Sequence, residues 1–173
     1  MTGPLYLLRH GETEWNREGR MQGRLDAPLT ARGRVQAARQ GALLRRAGIV
    51  APAYSSPLGR ARATAALAGL VCDVDPALQE IDMGRWQGRV PDRPLRGVSW
   101  KFDAPGAEPR DALLARLAPT LARPGPAILV SHGVVVIALR ATLLGLPPES
   151  WDILEDRQGV VYRLVPGSET VLG

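Results

Sequence analysis

The sequence predicts an α/β fold, a three-layer sandwich of helices around a largely parallel central sheet. Short runs of consecutive apolar residues, typical of fully buried strands, alternate along the chain with longer segments of helical character. The length of 173 residues, with 45% apolar and 23% charged residues, suits one globular core. We therefore predict a single domain over residues 1–173, with one variable loop at about residues 84–109.

In the first half of the chain, strand and helix patterns alternate. Residues 5–8 form an apolar run that predicts the first strand, and Arg9 ends it. Thr30 is the predicted N-cap of a helix that continues to about Gly48. The residues near helical spacing on its apolar face are Val35, Ala38, Ala42 and Leu43. Its arginines are expected largely outside that face: Arg32, Arg34, Arg39, Arg45 and Arg46. Residues 51–55 predict a strand, residues 58–69 an alanine-rich helix, and residues 71–75 a third strand.

The second half begins with a change of composition. Residues 84–109 contain four glycines and four prolines, which predicts a long loop. A helix is predicted over residues 111–122, a buried strand over 127–130, a helix over 134–144 that ends at Gly145, and a final strand over 160–165. Ligands of open α/β sheets bind beyond the carboxyl ends of strands, so residues at those ends are the site candidates.

Arginine supplies almost all of the basic excess. The chain has 22 Lys plus Arg against 17 Asp plus Glu, and Lys101 is its single lysine. The planar guanidinium suits phosphate and carboxylate, so the excess is compatible with an anionic ligand. We expect no nucleic-acid partner, because the arginines are scattered and aromatic residues make up only 5% of the chain.

Cysteine and histidine are too few for a structural metal centre. Cys72 is the single cysteine and cannot close a disulfide within the chain, and two histidines cannot complete a Cys-rich cluster. Arg9 interrupts the first apolar run before a signal-peptide core could form, and prolines and glycines break the uncharged stretch of residues 124–139. We therefore expect a cytoplasmic protein with a reduced thiol and no membrane partner. The sequence leaves open whether it forms a homodimer.

Both histidines lie in the same sequence context. His10 and His132 each follow an apolar run and precede a glycine, in LLRHG and LVSHG. If the two strands are neighbours in one sheet, the two imidazoles meet at the same edge. Glycine after each histidine permits close backbone approach and lets a ligand reach the ring. The alternative is that each is an ordinary buried or capping histidine, which requires the matching contexts to have arisen independently.

Residues 7–16, LLRHGETEWN, resemble the signature of the histidine phosphatase superfamily, which includes the cofactor-dependent phosphoglycerate mutases. Four further blocks resemble family motifs in family order: QGRLDAPLT at 22–30, SSPLGRA at 55–61, LQEIDMGRWQG at 78–88 and VSHG at 130–133. The resemblance covers most of the chain outside residues 89–109. It implies a phosphoglycerate mutase-like fold and an enzyme that works without a metal or other cofactor.

The resemblance also assigns roles to residues. His10 is implied as the nucleophile that becomes phosphohistidine, so its other ring nitrogen must donate to a backbone or carboxylate acceptor. Glu80 is implied as the general acid and base, with Glu12 and Asp82 as its nearest competitors. The residues implied to hold the phosphate are Arg9, Asn16, Arg60 and His132. Gln22 and Gly23 are assigned to a substrate-facing loop. Arg62 lies roughly 200° from Arg60 around a helix, so only one of the two can face the site.

Three features favour a hydrolase over a mutase. The chain is short for a mutase, which usually carries a longer insertion after the block that contains Glu80. Met83 stands where mutases have tyrosine, and residues 89–109 lack the mutases' paired arginines. The expected substrate is a small phosphorylated metabolite, such as a sugar phosphate, phosphoserine or the nucleotide-loop phosphate of cobalamin synthesis, which is the α-ribazole phosphatase branch. The cations available to a second anionic group of the substrate are Arg85, Arg89, Arg93, Arg96 and Lys101.

Two alternatives stay open. One is a phosphoglycerate mutase, and the other is a basic nucleic-acid-binding or regulatory module with a vestigial site. Where many family members have Gly-Glu-Ser before the next helix, this chain has GAEP at residues 106–109, and proline still suits the first turn of a helix over residues 110–121. Trp15, Trp86 and Trp100 are assigned to packing rather than to the mouth of a pocket.

Overall fold

A computed structural model describes residues 3–92 and 97–173 and confirms the predicted α/β class. The strands are β1 (Leu5–Arg9), β2 (Ala53–Ser55), β3 (Asp73–Val74), β4 (Ala127–Ser131), β5 (Val161–Val165) and β6 (Ser168–Leu172). They form one sheet in the order β3-β2-β4-β1-β5-β6. The first four strands of that order run parallel, and β5 and β6 extend the sheet as an antiparallel pair.

Helices lie on both faces of the sheet. They are α1 (Glu14–Arg17), α2 (Ala31–Arg46), α3 (Gly59–Ala68), α4 (Arg110–Leu121) and α5 (Gly133–Leu144). Short 3₁₀ helices occur at Pro76–Leu78, Gly84–Trp86, Ser99–Asp103 and Pro148–Ile153. In the part of the chain that the structure describes, no helix is long and apolar enough to cross a membrane.

The central strands separate two hydrophobic cores. In β1, Leu5 and Leu7 pack into the core covered by α4 and α5, whereas Tyr6 and Leu8 pack into the core covered by α2 and α3. β4 divides in the same way, because side chains alternate between the two faces of a strand. Burial on both faces explains why both strands are continuous apolar runs.

Helix α2 begins after Thr30 as predicted, but its predicted apolar face is wrong. Val35 is 69% exposed, and Ala38 and Ala42 are also exposed. The residues that α2 buries are Gly33, Ala37, Gln40, Gly41 and Leu44. The physical reason is close packing: a Cβ at Gly41 would overlap the backbone of Ala68 at the end of α3. Hydrophobicity alone does not mark a face made of small residues.

The strand predicted at residues 160–165 is not the last one. β6 follows it after a two-residue turn and pairs with it in an antiparallel hairpin. The sequence signal for β6 is weak, because this edge strand is half-buried or exposed and begins with three polar residues.

The predicted long loop contains two of the short 3₁₀ helices, Gly84–Trp86 and Ser99–Asp103. Met83 and Ala107 form an isolated antiparallel bridge that ties its two ends together. Pro109 then caps α4 with an extended backbone, so the helix starts at Arg110 as predicted. Arg93 and Arg96, two of the predicted substrate-loop cations, lie outside the described residues.

Replacing Gly41 by valine is expected to lower the free energy of unfolding by about 1–3 kcal/mol, because the new side chain must push α2 away from α3. The matched control is Ala42→Val, at the adjacent exposed position of the same helix, which should change stability by about 0.5 kcal/mol or less. Urea unfolding of both variants measures the difference. Equal effects of the two substitutions would contradict the glycine contact.

Candidate active site

The two histidines lie side by side at one edge of the sheet, as predicted. β1 and β4 are parallel neighbours with Arg9 opposite Ser131, so His10 and His132 follow at the same level. The His10 amide donates to the Ser131 carbonyl at 2.9 Å and extends the pairing by one residue. The ring centroids are 5.2 Å apart, and both side chains are buried.

His10 is held in one tautomer. Its Nδ1 lies 2.7 Å from the Gly11 carbonyl oxygen, which can only accept, so Nδ1 carries the proton. Its Nε2 is then unprotonated and accepts a hydrogen bond from Arg60 Nε at 3.2 Å. The backbone acceptor required of a nucleophilic histidine is therefore present.

Both imidazoles are kept neutral. Burial lowers the pKa of His10 well below its usual value of 6.5, and the positive charges of Arg60 and Arg9 lower it further. Burial and Arg60 likewise hold the pKa of His132 well below 6.5. A neutral ring at position 10 has a lone pair available for attack.

Close backbone approach at Gly11 is confirmed, but a ligand is not what approaches it. A Cβ at Gly11 would overlap the carbonyl of Gly33 in the first turn of α2. The Thr30 side chain caps α2 at Gly33, and the Thr30 amide donates to Glu12. This glycine therefore lets α2 dock against the loop that follows β1.

Arg60 is fixed from several sides. It is 2% exposed and lies in the first turn of α3, whereas Arg62, the other arginine considered, is exposed. Its Nη1 donates to the Leu25 carbonyl at 2.6 Å and to Asp26 Oδ1 at 3.0 Å, and its Nη2 donates to the Gly23 carbonyl at 2.8 Å. With the bond to His10, these contacts use four of its five N–H groups.

Asp26 organises the start of α3 as well as the guanidinium. Its carboxylate accepts from the backbone amides of Gly59 and Arg60, the two residues that open the helix. A negative charge is favourable at a helix N-terminus, and here the same carboxylate pairs with Arg60. The backbone and the side chain of Arg60 thus have one common anchor.

Arg9 is anchored by a loop that is distant in sequence. Its Nη1 lies 2.9 Å from Asp156 Oδ2 and donates to the Asp156 carbonyl at 2.6 Å. The backbone carbonyl of Arg9 accepts from Gln40 Nε2 of α2 at 3.0 Å. The end of β1 is therefore held from both sides of the sheet.

Asn16 belongs to the capping box of α1, and its side-chain oxygen accepts from the Thr13 amide at 3.2 Å. Gln158 Nε2 donates to the same oxygen at 3.3 Å and to the His10 carbonyl at 3.1 Å. Because the oxygen is engaged twice, the amide nitrogen of Asn16 is the donor left for a ligand. Asn16 lines the cavity described below.

His132 is the N-cap residue of α5, and its Nε2 lies 2.7 Å from Ser56 Oγ. The Leu58 amide donates to that hydroxyl oxygen, so the hydroxyl proton is available to His132 Nε2. This arrangement leaves a proton on Nδ1, which has no hydrogen-bond partner within residues 3–92 and 97–173. His132 can therefore donate one hydrogen bond to an anion.

Of the three carboxylates considered as the acid and base, only Glu80 lines the cavity at His10. Its Oε2 accepts from the amide of Val134 in the first turn of α5 at 3.2 Å, and its Oε1 accepts from the Ile81 amide at 3.1 Å. Glu12 instead binds the Thr30 hydroxyl, and Asp82 accepts from the Gly84 amide. The negative charge next to the N-terminus of α5 is therefore that of Glu80.

The cavity at His10 has a volume of about 60 Å³, the space of about two water molecules. Its polar lining is Arg9, His10, Asn16, Arg20, Gln22, Arg60, Glu80 and Lys101, with Gly23, Gly133, Met21 and Met83 completing the wall. The structure thus brings every predicted site residue to the lining of this cavity except His132, whose ring centroid lies 5.2 Å from that of His10. We refer to it as the small cavity.

A cavity of about 580 Å³ shares part of this wall. The residues common to both are Arg9, Asn16, Arg20, Met21 and Lys101. Trp15 and Trp100 line this large cavity, so their assignment to packing alone is wrong. Trp86 stacks on Trp100 with ring centroids 5.6 Å apart.

Unpartnered buried polar atoms point to an anion in the small cavity. Arg9 Nε, Gln22 Oε1 and His132 Nδ1 have no hydrogen-bond partner among the described residues. Buried polar atoms away from this cavity, such as Gln40 Oε1 and Arg123 Nε, also lack a partner, so it is their position that makes these three atoms available to a ligand: Arg9 and Gln22 line the small cavity, and the His132 ring is next to that of His10. Two of them are donors, and a half-turn of the Gln22 amide presents a third donor at the same place.

The arrangement places a neutral imidazole, four cationic side chains and a carboxylate around one small space, and the cations are Arg9, Arg20, Arg60 and Lys101. Within the described ranges, no group of three or more His, Cys, Asp or Glu side chains could hold a metal ion. A bound oxyanion would lie among these four positive charges.

Sequence reasoning missed several positioning residues. Asp26 and Ser56 lie inside the quoted motifs, so an unassigned polar residue within a motif was the available signal. Asp156 and Gln158 lie on a loop before β5, outside every motif, and the sequence carries no local signal for them.

Comparison with known proteins identifies the relatives of this chain. The model of the histidine phosphatase superfamily (branch 1) matches residues 5–171. The probable phosphoglycerate mutase GpmB of Salmonella paratyphi B is 39% identical over 166 residues, which cover 83% of this chain and 75% of GpmB.

Two solved structures share the fold over almost the whole chain. The mycobacterial glucosyl-3-phosphoglycerate phosphatase Rv2419c, in complex with VO3, is 30% identical with a TM-score of 0.75, covering 96% of this chain and 100% of that one. A putative alpha-ribazole-5'-P phosphatase from Escherichia coli K-12 is 29% identical with a TM-score of 0.78, covering 99% and 95%. The resemblance inferred from the five motifs is confirmed.

The depressed histidine pKa values make a prediction that needs no substrate. In phosphate-free buffer, the two imidazole Cε1–Hε1 signals should keep their neutral-form shifts as the pH is lowered from 8 through 6.5, because burial and the positive charge of Arg60 disfavour protonation of both rings. The control is the urea-unfolded chain, in which both histidines should titrate near their usual pKa of about 6.5.

The same shift links stability to pH. Below about pH 6.5 the unfolded chain binds protons that the folded chain does not, so the free energy of unfolding should fall as the pH falls. A folded-state midpoint at or above pH 6.5 for both signals would contradict the geometry described for His10 and His132.

Proposed function

The chain belongs to the histidine phosphatase superfamily, and we propose that it is a metal-independent phosphomonoesterase. It hydrolyses small phosphorylated metabolites through a phosphohistidine on His10. The observation that carries the proposal is the state of this ring: Nδ1 is bound to the Gly11 carbonyl, and the unprotonated Nε2 lies in a cavity lined by Arg9 and Arg60. A nucleophile and charge compensation for phosphate oxygens are thus present in one place.

In the first step, the lone pair of His10 Nε2 attacks phosphorus and forms a P–N bond. The P–O bond to the leaving alcohol breaks, and its electron pair passes to the alcohol oxygen, which takes a proton from Glu80. The Glu80 carboxylate acquires that proton from the phosphate when the substrate binds as its monoanion. The proton on His10 Nδ1 stays in its hydrogen bond to Gly11, so the phosphorylated ring is cationic. Positive charge on the ring makes it a good leaving group for the second step.

In the second step, Glu80 acts as a base. Its carboxylate removes a proton from water as the water oxygen attacks phosphorus, the P–N bond breaks, and its electron pair returns to Nε2. Inorganic phosphate takes that proton as it leaves, and His10 and the Glu80 carboxylate are restored. The hydrogen bonds from the Ile81 and Val134 amides orient the carboxylate throughout.

Arg60 must change partners during the reaction. Its Nε donates to His10 Nε2 in the resting site, and that lone pair is consumed when the P–N bond forms. The Nε–H then turns to a phosphate oxygen, while the bonds to Leu25 and Asp26 keep the guanidinium in place. Arg9 Nε, His132 Nδ1 and the Asn16 amide supply further donors, so the three nonbridging oxygens can all be bound.

The alternative function is a phosphoglycerate mutase, and the name of the GpmB relative favours it. In a mutase, a second substrate hydroxyl takes the place of water. Two observations support hydrolysis instead: the large cavity opens beside the small one and gives water a path, and Met83 presents a thioether in the small cavity where the mutase pattern has tyrosine.

The names of the two structural neighbours support the proposed substrate class. One acts on a phosphorylated glucosylglycerate and the other is named for a nucleoside phosphate, and both names describe phosphomonoesters of sugar-like metabolites. The large cavity, with a volume of about 580 Å³, has room for a body of that size. We place the protein in the cytoplasm as part of this proposal.

The nucleophile is tested with p-nitrophenyl phosphate in the presence of a chelator. Wild-type protein should release nitrophenol, and His10→Ala should lower kcat by about 10³-fold or more, because no other unprotonated nucleophile lines the described part of the small cavity. Arg60→Gln should also be strongly impaired. Arg62→Gln, two positions away and exposed, is the matched control and should retain wild-type activity.

Two results would contradict this prediction. Full activity of His10→Ala would exclude the phosphohistidine route. Conversion of 3-phosphoglycerate to 2-phosphoglycerate faster than phosphate release, with or without bisphosphoglycerate, would make the mutase the better assignment.

The role of Glu80 predicts a dependence on the leaving group. Glu80→Gln should lower kcat by about 10²–10⁴-fold for an alkyl phosphate, whose alcohol needs a proton to leave. The rate of phosphoenzyme formation should fall much less for p-nitrophenyl phosphate, because nitrophenolate leaves unprotonated. Since the second step still lacks its base, phosphoenzyme should accumulate. Rapid-quench kinetics measure it, and Asp82→Asn is the matched control. If Glu80→Gln lowered the rate of phosphoenzyme formation equally for both substrates, that result would contradict the acid role.

A further inference from the structure

Lys101, the single lysine of the chain, lies where the two cavities meet. It belongs to the short 3₁₀ helix Ser99–Asp103 and lines both the small cavity at His10 and the large cavity beside it. A substrate whose phosphate occupies the small cavity would extend its leaving alcohol past this ammonium into the large one.

Lys101 differs from the arginines around it because its charge has no partner. Every arginine that lines either cavity has a carboxylate within 4.0 Å: Arg9 has Asp156, Arg20 has Glu18, Arg60 has Asp26 and Arg157 has Glu155. The Lys101 ammonium makes no ion pair or side-chain hydrogen bond with any residue that the structure describes. The ammonium makes a cation–π contact instead, with Nζ 6.0 Å from the centroid of the Trp100 ring.

The acidic groups nearest to Lys101 are already engaged. Asp156 binds Arg9, Asp152 accepts from the amides of Val98 and Ser99, and Glu80 accepts from two backbone amides. Burial lowers the pKa of Lys101 below its usual value. The three carboxylates act in the opposite direction and the charge of Arg9 acts in the same direction, each with a smaller effect than burial. A partly desolvated ammonium without a partner is the kind of group that binds an anion strongly.

The other predicted substrate-loop cations do not share this position. Arg85 and Arg89 are exposed and line neither cavity, and Arg93 and Arg96 lie outside the described residues. Arg20 donates to the Gly88 carbonyl and stacks on Trp15, so it is committed to the wall. Among the described residues, Lys101 is the one cation of the cavity junction that has no carboxylate partner within 4.0 Å.

We propose that Lys101 binds a second anionic group on the leaving alcohol, so that the preferred substrates are phosphomonoesters with a carboxylate or a second phosphate close to the transferred phosphoryl group. This inference rests on the proposed function and names the substrate class of the same site. Lys101 is here a specificity-determining residue, and the chemistry at phosphorus belongs to the residues already described.

Matched substrate pairs test the assignment. 3-Phosphoglycerate and glycerol 3-phosphate differ by a carboxylate in place of a hydroxymethyl group, and glycerol 1,3-bisphosphate and glycerol 3-phosphate differ by a second phosphate in place of a hydroxyl group. The measured quantity is the ratio of kcat/KM within each pair. For the pair whose additional anion Lys101 recognises, wild-type kcat/KM should be about tenfold or more higher for the substrate that carries this anion, since a charge-assisted hydrogen bond has that effect.

Lys101→Met should lower that ratio by about tenfold or more, and Lys101→Gln should act in the same direction. Lys101→Arg should keep most of it, because the charge is retained. Arg85→Met is the matched control, a cation of the same region outside both cavities, and should leave the ratio unchanged. A ratio ignores any general loss of activity, and thermal unfolding of each variant checks its folding.

Two outcomes would overturn the assignment. Wild-type ratios near one in both arms would show that no second anion is recognised. Equal losses for both members of a pair in Lys101→Met would place the lysine at the transferred phosphate or the leaving oxygen. Failure of wild-type protein to hydrolyse any phosphomonoester is a different result, since it would contradict the proposed function itself.

Discussion

The parallel pairing of β1 with β4 is the constraint on which the site depends. It aligns Arg9 with Ser131, and therefore brings His10 and His132 to one edge of the sheet although they are far apart in sequence. The pairing is stable because both strands are buried on both faces between two hydrophobic cores. A shift of one residue in this register would separate the rings and turn every side chain of the strand to the opposite core. Core packing therefore fixes the geometry of the chemistry.

A second constraint is the burial of positive charge. Arg9 and Arg60 are costly to bury, and the fold compensates each with a carboxylate from a separate loop, Asp156 at 2.9 Å and Asp26 at 3.0 Å. These pairs orient the guanidinium groups while leaving Arg9 Nε without a partner among the described residues. Burial has the largest part in keeping the pKa of His10 low, and the charges of Arg60 and Arg9 lower it further, so the groups suited to binding phosphate also help to keep the ring neutral. One electrostatic arrangement thus serves both purposes.

The fold and the core of the site follow from local sequence patterns, whereas the supporting contacts do not. Apolar runs ending in His-Gly located both strand ends, and Thr30, Pro109 and Gly145 marked helix boundaries through backbone chemistry that acts within a few residues. The buried face of α2 was missed because Gly41 is selected by the nearness of α3, which no property of α2 alone encodes. Asp156 and Gln158 were missed for the same reason, because only the folded chain brings their loop to β1.

The residues predicted from the motifs lie at the small cavity, where phosphate would react, whereas most residues of the large cavity, where the rest of the substrate would bind, lie outside the motifs. In the small cavity, Arg9 and His10 come from the end of β1, and Arg60 and Gly133 come from the first turns of α3 and α5, elements that pack on or belong to the sheet. The large cavity is walled by α1, residues 97–101 and residues 152–157, most of them in loops or 3₁₀ turns outside the family motifs. Water and a second substrate hydroxyl can both meet a phosphohistidine in the small cavity, so the choice between hydrolysis and transfer depends on what the large cavity holds. Since its walls lie mostly outside the motifs that identify the superfamily, membership alone leaves that choice to the loops of each chain.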